Sequence, residues 1–153
     1  MGKVENKIIV WSIDDFNTLG LMRELGNAEL DMLFLVKDHA GFAVKSKYCK
    51  KYIETSTIED GYKYLMENYA SEGKKPILII SSDEIITFVD QHKDEFEKLF
   101  VVPGTTIKGN IEKYIDKNNM TTLAEEIGIL CPKSRAIKKG EDISDIQFPC
   151  VIK

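Results

Sequence analysis

Short apolar, β-branched runs alternate along this chain with helix-length amphipathic stretches, and that alternation limits the fold more than any other feature. Lys7-Ile8-Ile9-Val10-Trp11 has the composition of a strand buried on both faces, and it gives way to the polar loop Ser12-Ile13-Asp14-Asp15-Phe16-Asn17. Asp31 to Val36 repeats the pattern, closed by Lys37-Asp38-His39-Ala40-Gly41. A short third strand is expected before Ile58. Pro76 to Ile80 is the clearest strand and stops at Ser81-Ser82-Asp83-Glu84, and Leu99 to Val102 reads as a fifth, ended by Pro103-Gly104. Between these runs, apolar residues fall at helical spacing: Leu19, Met22 and Leu25; then Ile58, Tyr62, Leu65, Met66 and Tyr69; then Ile85, Ile86, Val89 and, after a polar interval, Phe96. Parallel strands need long crossovers, so the pattern predicts an α/β fold: an open parallel sheet with helices on both faces, Rossmann-like in character.

Local signals mark the element ends. Thr18 can cap the first helix, and Gly26 stands where a helix C-terminus prefers glycine. Ser82 or Asp83 can cap the helix after the fourth strand. The first domain is expected to span residues 1–109, closing between Pro103 and Gly109. Residues 110–153 then hold a short helix around Ile111 to Ile115 and a longer one carrying Met120, Leu123, Ala124 and Ile127. Two further strands are expected near Ser134 to Ile137 and Pro149 to Lys153, joined by the polar stretch Lys138 to Asp145. The chain stops as an apolar strand delivers a lysine, so it reads as the N-terminal piece of something longer.

Charge and cysteine usage narrow the function classes. A formal net charge of −4, with Arg23 and Arg135 the only arginines, gives no electrostatic reason to expect a nucleic acid partner. No apolar run approaches the roughly 20 residues needed to cross a bilayer, and the charged N-terminus is no secretory signal. Cys49, Cys131 and Cys150 are odd in number, far apart and without CxxC spacing, which suits reduced thiols in a cytoplasmic protein over disulfides or a zinc site. Cys131 and Cys150 stand in apolar contexts and are expected as core filler. His39 and His92 have no second ligand at i+4 and are expected at the surface, so no metal site is expected in this chain.

From Asp116 onward several signals occur in order. Asp116-Lys117 opens a helix, Leu123-Ala124 and Gly128 stand near its end, and Pro132-Lys133-Ser134 starts a strand. Phe148-Pro149-Cys150-Val151-Ile152-Lys153 is a second strand ending in lysine. This arrangement resembles the start of the nucleotide-binding domain of ATP-grasp ligases, the superfamily of carbamoyl-phosphate synthase large chains, biotin carboxylases and D-alanine ligases. The resemblance covers the last quarter of the chain strongly and the remainder more loosely. It implies that residues 1–109 are a pre-ATP-grasp domain and that Lys117 and Lys153 contact ATP phosphates. It also implies ATP and Mg2+ as cofactors, with the metal ligands and the glycine-rich lid in downstream sequence. The implied reaction joins a carboxylate to an amine or a thiol through an acylphosphate, and this chain alone is expected to be inactive. The implied partners are small-molecule carboxylates and amines, and a homo-oligomer is left open.

Chemistry supplies a reason of its own for the two lysines. Phosphoryl transfer rests on positioning and charge neutralisation, and a lysine ending a rigid strand is a well-held point charge. In an open parallel sheet ligands collect beyond the carboxyl ends of the strands, which singles out two loops. Asp14, Asp15, Asn17 and Thr18 follow the first strand, and Ser82, Asp83 and Glu84 follow the fourth. Their plain use is as helix caps; likeness to the pre-ATP-grasp domain makes them candidates for the substrate side of the site. Asp14 and Asp15 are adjacent, so on an extended segment they point apart and form no ready acid/base pair. The lysines from Lys45 to Lys51 could meet an anion, although a solvated edge is the simpler reading. The competing class is a receiver-like signalling module, suggested by Ile13-Asp14-Asp15, or a non-catalytic oligomerisation module. The receiver chemistry needs an aspartate ending the third strand, where the sequence offers Glu54, and a lysine after the fifth, where Lys108 is the nearest.

Overall fold

The computed structural model describes residues 4–38, 40–104, 106–133, 137–144 and 149–151. Four strands, β1 (Ile8–Ile13), β2 (Met32–Lys37), β3 (Tyr52–Thr55) and β4 (Ile77–Ile80), form one sheet in the order β3-β2-β1-β4, and every pairing is parallel. The sheet is crossed by α1 (Phe16–Asn27), α2 (Ile58–Tyr69), α3 (Asp83–Gln91) and α4 (Lys93–Leu99), followed by α5 (Asn110–Ile115) and α6 (Lys117–Glu126). A 3-10 turn, Ala43–Lys45, lies between β2 and β3.

β1 is central, and its alternation divides the core. Ile9 and Trp11 point to one face, where Leu35 and Leu78 meet Ile58 and Leu65 of α2, Ile85 and Val89 of α3 and Phe96 of α4. Ile8 and Val10 point to the other, where Met32, Phe34 and Val36 meet Met22 of α1 and Ala43 of the 3-10 turn. The expected α/β fold with helices on both faces is therefore present. Trp11, Phe34 and Phe96 are completely buried, and each such side chain contributes about 1.5–3 kcal/mol of transfer free energy.

Several element ends differ from the sequence expectations, each for a local reason. Asp15, not Thr18, caps α1: its carboxylate accepts the Thr18 N–H at 2.8 Å, and the helix starts at Phe16. Gly26 lies inside α1, which runs on to Asn27; the left-handed residue beyond the helix is Glu29, at φ 56°. What Gly26 provides is space, because a Cβ there would stand 2.2 Å from Cγ of Tyr48. Of the two candidate caps on α3, Ser82 is the one used. The expected single helix carrying Ile85 to Phe96 is two helices, broken at His92. His92 is also not simply a surface residue, since its ring stacks on Phe88 at 4.3 Å between centroids and is half-buried.

The fifth strand shrinks to one parallel bridge between Val101 and Ile77. Leu99 is still helical, and Val101 exchanges hydrogen bonds with the Pro76 carbonyl (2.8 Å) and the Leu78 N–H (2.9 Å). The next rung would need an N–H at residue 103, which is proline, so the ladder ends.

The expected short helix appears as α5 and the longer one as α6. Asp90 of α3, 3% exposed, accepts the Ile111 N–H at 3.1 Å and so ties α5 to the first part of the chain. Neither α5 nor α6 buries a residue completely. Ser134 to Ala136 and Ile152 to Lys153, within the last two expected strands, lie outside the described residues; Ile137 and Pro149 to Val151 have no strand pairing. Cys131 is half-buried and Cys150 exposed, so Cys150 is not core filler.

Candidate functional site

The sheet order places the candidate loops. From β1 the chain moves through α1 to β2 and β3, and α2 carries it back across to β4 on the opposite side of β1. The carboxyl ends of β1 and β4 are thus neighbours at the point where the strand order reverses, and the loops beyond them flank the crevice where open α/β sheets take ligands.

On the β1 side the side chains are largely committed to the protein. Asp14, 2% exposed, turns back toward the loop after β2: its Oδ2 accepts the Gly41 N–H at 2.5 Å, and its two oxygens also receive the N–H groups of Phe42, Ala43 and Val44. Asp15 points the other way, to cap α1. The two neighbouring carboxylates therefore serve different elements. Thr18 and Ser12 are completely buried, and the Thr18 hydroxyl donates to the Ser12 Oγ at 3.0 Å. Asn17 is exposed in the first turn of α1, next to Phe16, whose ring is 73% exposed.

On the β4 side the Ser82 Oγ accepts the Ile85 N–H, which leaves Asp83 and Glu84 exposed on the first turn of α3. Acidic residues there complement the positive end of the helix dipole. Lys37, at the end of β2, joins the two sides: its Nζ lies 2.6 Å from Asp38 and 3.3 Å from Glu84. The hydrogen bond that Lys37 donates to Asp38, and then the one to Glu84, holds its ammonium above the ordinary lysine range. Sequence reading gave Lys37 no role, because its meeting with Glu84 depends on the two strands flanking β1; a lysine ending an apolar strand is the one signal available.

The loops beyond β1, β2 and β4 carry Asp15, Asp38, Asp83 and Glu84, of which Asp38 and Glu84 pair with the Lys37 ammonium, and no glycine-rich loop follows β1. Carboxylates in these loops suit a ligand carrying an amine or hydroxyl donors better than they suit phosphate. Among the described residues, no group of three His, Cys, Asp or Glu side chains could hold a metal ion. His39, in the loop after β2, lies outside the described residues.

Lys117 is elsewhere, at the first position of α6. Asp116 caps that helix by accepting the N–H groups of Asn118 (2.9 Å) and Asn119 (3.0 Å), so Lys117 starts it with an exposed side chain. Gly128, at φ 78°, ends the segment in a left-handed turn in which the Ile129 N–H donates to the Ala124 carbonyl at 2.8 Å. Lys153, the other expected phosphate contact, lies outside the described residues.

No described helix is long and apolar enough to cross a membrane. No protein-family model and no curated protein sequence matches the chain.

Proposed function

We propose that this chain belongs to an ATP-dependent ligase of the ATP-grasp type, with residues 1–109 as the pre-ATP-grasp domain and residues 110–153 as the start of the ATP-grasp domain. The observation that carries the reading is the position of Lys117. A cation in the first turn of a helix opposes the macrodipole at a cost of about 0.3–1 kcal/mol, and here it is exposed and first in line behind the Asp116 cap. An anion docked at that end, such as a phosphate of ATP, reverses the sign of the interaction.

The carboxylates in the loops beyond β1, β2 and β4 support the same division of labour. No glycine-rich loop follows β1, and these carboxylates suit the amine or a hydroxyl-rich part of the acceptor, which leaves the nucleotide to the segment beginning at Lys117. In the proposed reaction an oxygen of the acceptor carboxylate attacks the γ-phosphorus of ATP, ADP leaves, and the amine or thiol then displaces phosphate from the acylphosphate. Lys117 and Lys153 hold phosphate oxygens and neutralise their charge, the main demand of such transfers. In this reading the magnesium ligands come from outside the described residues, among which no group of three His, Cys, Asp or Glu side chains could hold a metal ion. The odd, widely spaced cysteines favour a cytoplasmic protein.

The receiver-like reading loses ground on topology. In the flavodoxin-like order of receivers β1 lies between β2 and β3, whereas here it lies between β2 and β4.

The test is calorimetric Mg-ATP binding to the full-length protein carrying this sequence, beside its Lys117→Ala, Lys153→Ala double variant. Charge-assisted contacts contribute about 1.5–3 kcal/mol each, so the double variant is expected to bind at least about a hundredfold more weakly while remaining folded. A folded parent that binds no Mg-ATP ends the ligase reading.

A further inference from the structure

On the α1 face, away from the crevice, a surface cavity of about 390 Å³ is lined by Arg23 and Asn27 of α1 and by Lys45, Ser46, Lys47 and Tyr48 of the loop leading to β3. We infer that this cavity is a binding site for a phosphate monoester of a small organic molecule, distinct from the nucleotide site proposed at Lys117.

The chemistry of the lining is one-sided. Three cations face the cavity and no carboxylate does, although the chain carries a net charge of −4. Lys37, Lys50, Lys63, Lys74 and Lys93 have carboxylate partners; Arg23, Lys45 and Lys47 have none among the described residues, as is also true of Lys51, Lys98 and Lys108, but here three such cations line one cavity. The neutral groups also offer donors. Asn27 Oδ1 accepts the Tyr48 hydroxyl at 2.5 Å, so its amide N–H groups remain to donate. Ser46 Oγ accepts the Tyr48 N–H at 3.3 Å, so its hydroxyl proton is likewise available. A lining with three cations, further N–H and O–H donors and no carboxylate favours an anion.

The loop is held before any ligand arrives. Asp14 gathers the N–H groups of residues 41–44, at the start of the 3-10 turn, the Ser46 N–H closes that turn on the Ala43 carbonyl at 2.9 Å, and the Cys49 N–H returns to the Ser46 carbonyl at 2.9 Å. The Tyr48 ring lies directly on Gly26, fixing the loop to the helix that supplies Arg23 and Asn27. Little ordering entropy is left for the ligand to offset.

Three cations outmatch a single carboxylate and suit a group carrying about −1.5 to −2 charge at pH 7, with three oxygens for the Arg23 fork and the two ammonium groups. The volume lies within the range of small-molecule pockets, about 300–1,000 Å³, leaving room for the carbon skeleton behind the phosphate.

The test titrates the chain with glycerol phosphate while recording amide chemical shifts, with glycerate as the single-carboxylate arm. Saturable shifts at Ser46, Lys47 and Tyr48 under glycerol phosphate, weaker under glycerate, are expected. Affinity is expected to fall at least about tenfold in an Arg23→Gln, Lys47→Gln variant of unchanged amide dispersion and to be retained in Lys63→Gln, a change on the opposite face. Shifts confined to residues 116–119 would instead report the Lys117 site and overturn this assignment without touching the ligase reading. Equal response to glycerate, or full affinity in the double variant, also overturns it.

Discussion

The carboxylate of Asp14, just past the end of β1, accepts the backbone N–H of Ala43 at 2.5 Å across 29 residues of sequence. One buried side chain thereby holds the loop that follows the neighbouring strand and supports the basic cavity on the α1 face. Asp14→Ala removes the acceptor of several backbone N–H groups at once. Losing charge-assisted bonds of this kind costs about 3 kcal/mol, and Asp14→Asn, which keeps one acceptor oxygen, is expected to cost less. Urea unfolding measures both; a midpoint for Asp14→Ala equal to the parent's would show that these bonds contribute nothing net.

Gly61 lies in α2 against the chain's single tryptophan, and a Cβ there would stand 2.8 Å from Nε1 and Cζ2 of Trp11. Gly61→Ala improves helix propensity by about 1 kcal/mol, but overpacking a core of this kind costs about 1–3 kcal/mol. The steric effect is expected to win, because Trp11 is completely buried among Phe88 and Phe96 and has nowhere to move. Lower thermal stability with altered Trp11 fluorescence is the expected outcome, and a more stable Gly61→Ala protein would contradict it.

Burial, followed by the neighbouring Tyr64 and Glu72, pushes the Tyr69 phenol up to about 12 from an ordinary value of 10.0. A raised pKa means that folding favours the neutral phenol. This contribution is complete below pH 10 and is lost as pH rises from there toward about 12. Tyr69→Phe is expected to flatten the alkaline decline in stability and to remove one late-titrating tyrosinate from the absorbance titration. An unchanged titration curve would refute the assignment.

Lys117→Ala separates fold from function. Removing a cation from the first turn of α6 is expected to leave stability unchanged or raise it by up to about 1 kcal/mol. A clear loss of thermal stability would mean that Lys117 supports the fold, contrary to its exposed position.

The sheet was legible in the sequence because its two inner strands are buried on both faces: Ile8 to Trp11 and Met32 to Val36 had to be continuously apolar, the half-buried Ile77 to Ile80 is apolar as well, and each is a strand. The stripe from Ile58 to Tyr69 was equally readable, since a helix on a sheet needs one apolar face. Caps were harder to read. Asp15 and Thr18 are both capable side chains, and the choice rests on which backbone torsions the strand leaves behind. The fifth strand failed as an expectation because apolar content alone does not supply the N–H that Pro103 lacks. The candidate loops were found by sequence, but their use was decided in three dimensions. Asp14 is consumed by residues 41–44, Lys37 meets Glu84 because β2 and β4 flank β1, and Arg23 joins Lys45 and Lys47 because Gly26 lets Tyr48 lie on α1. Periodicity and burial are local properties that a sequence carries on its face. Which charges meet, and which remain without a partner, depends on contacts between distant segments that only the folded chain brings together.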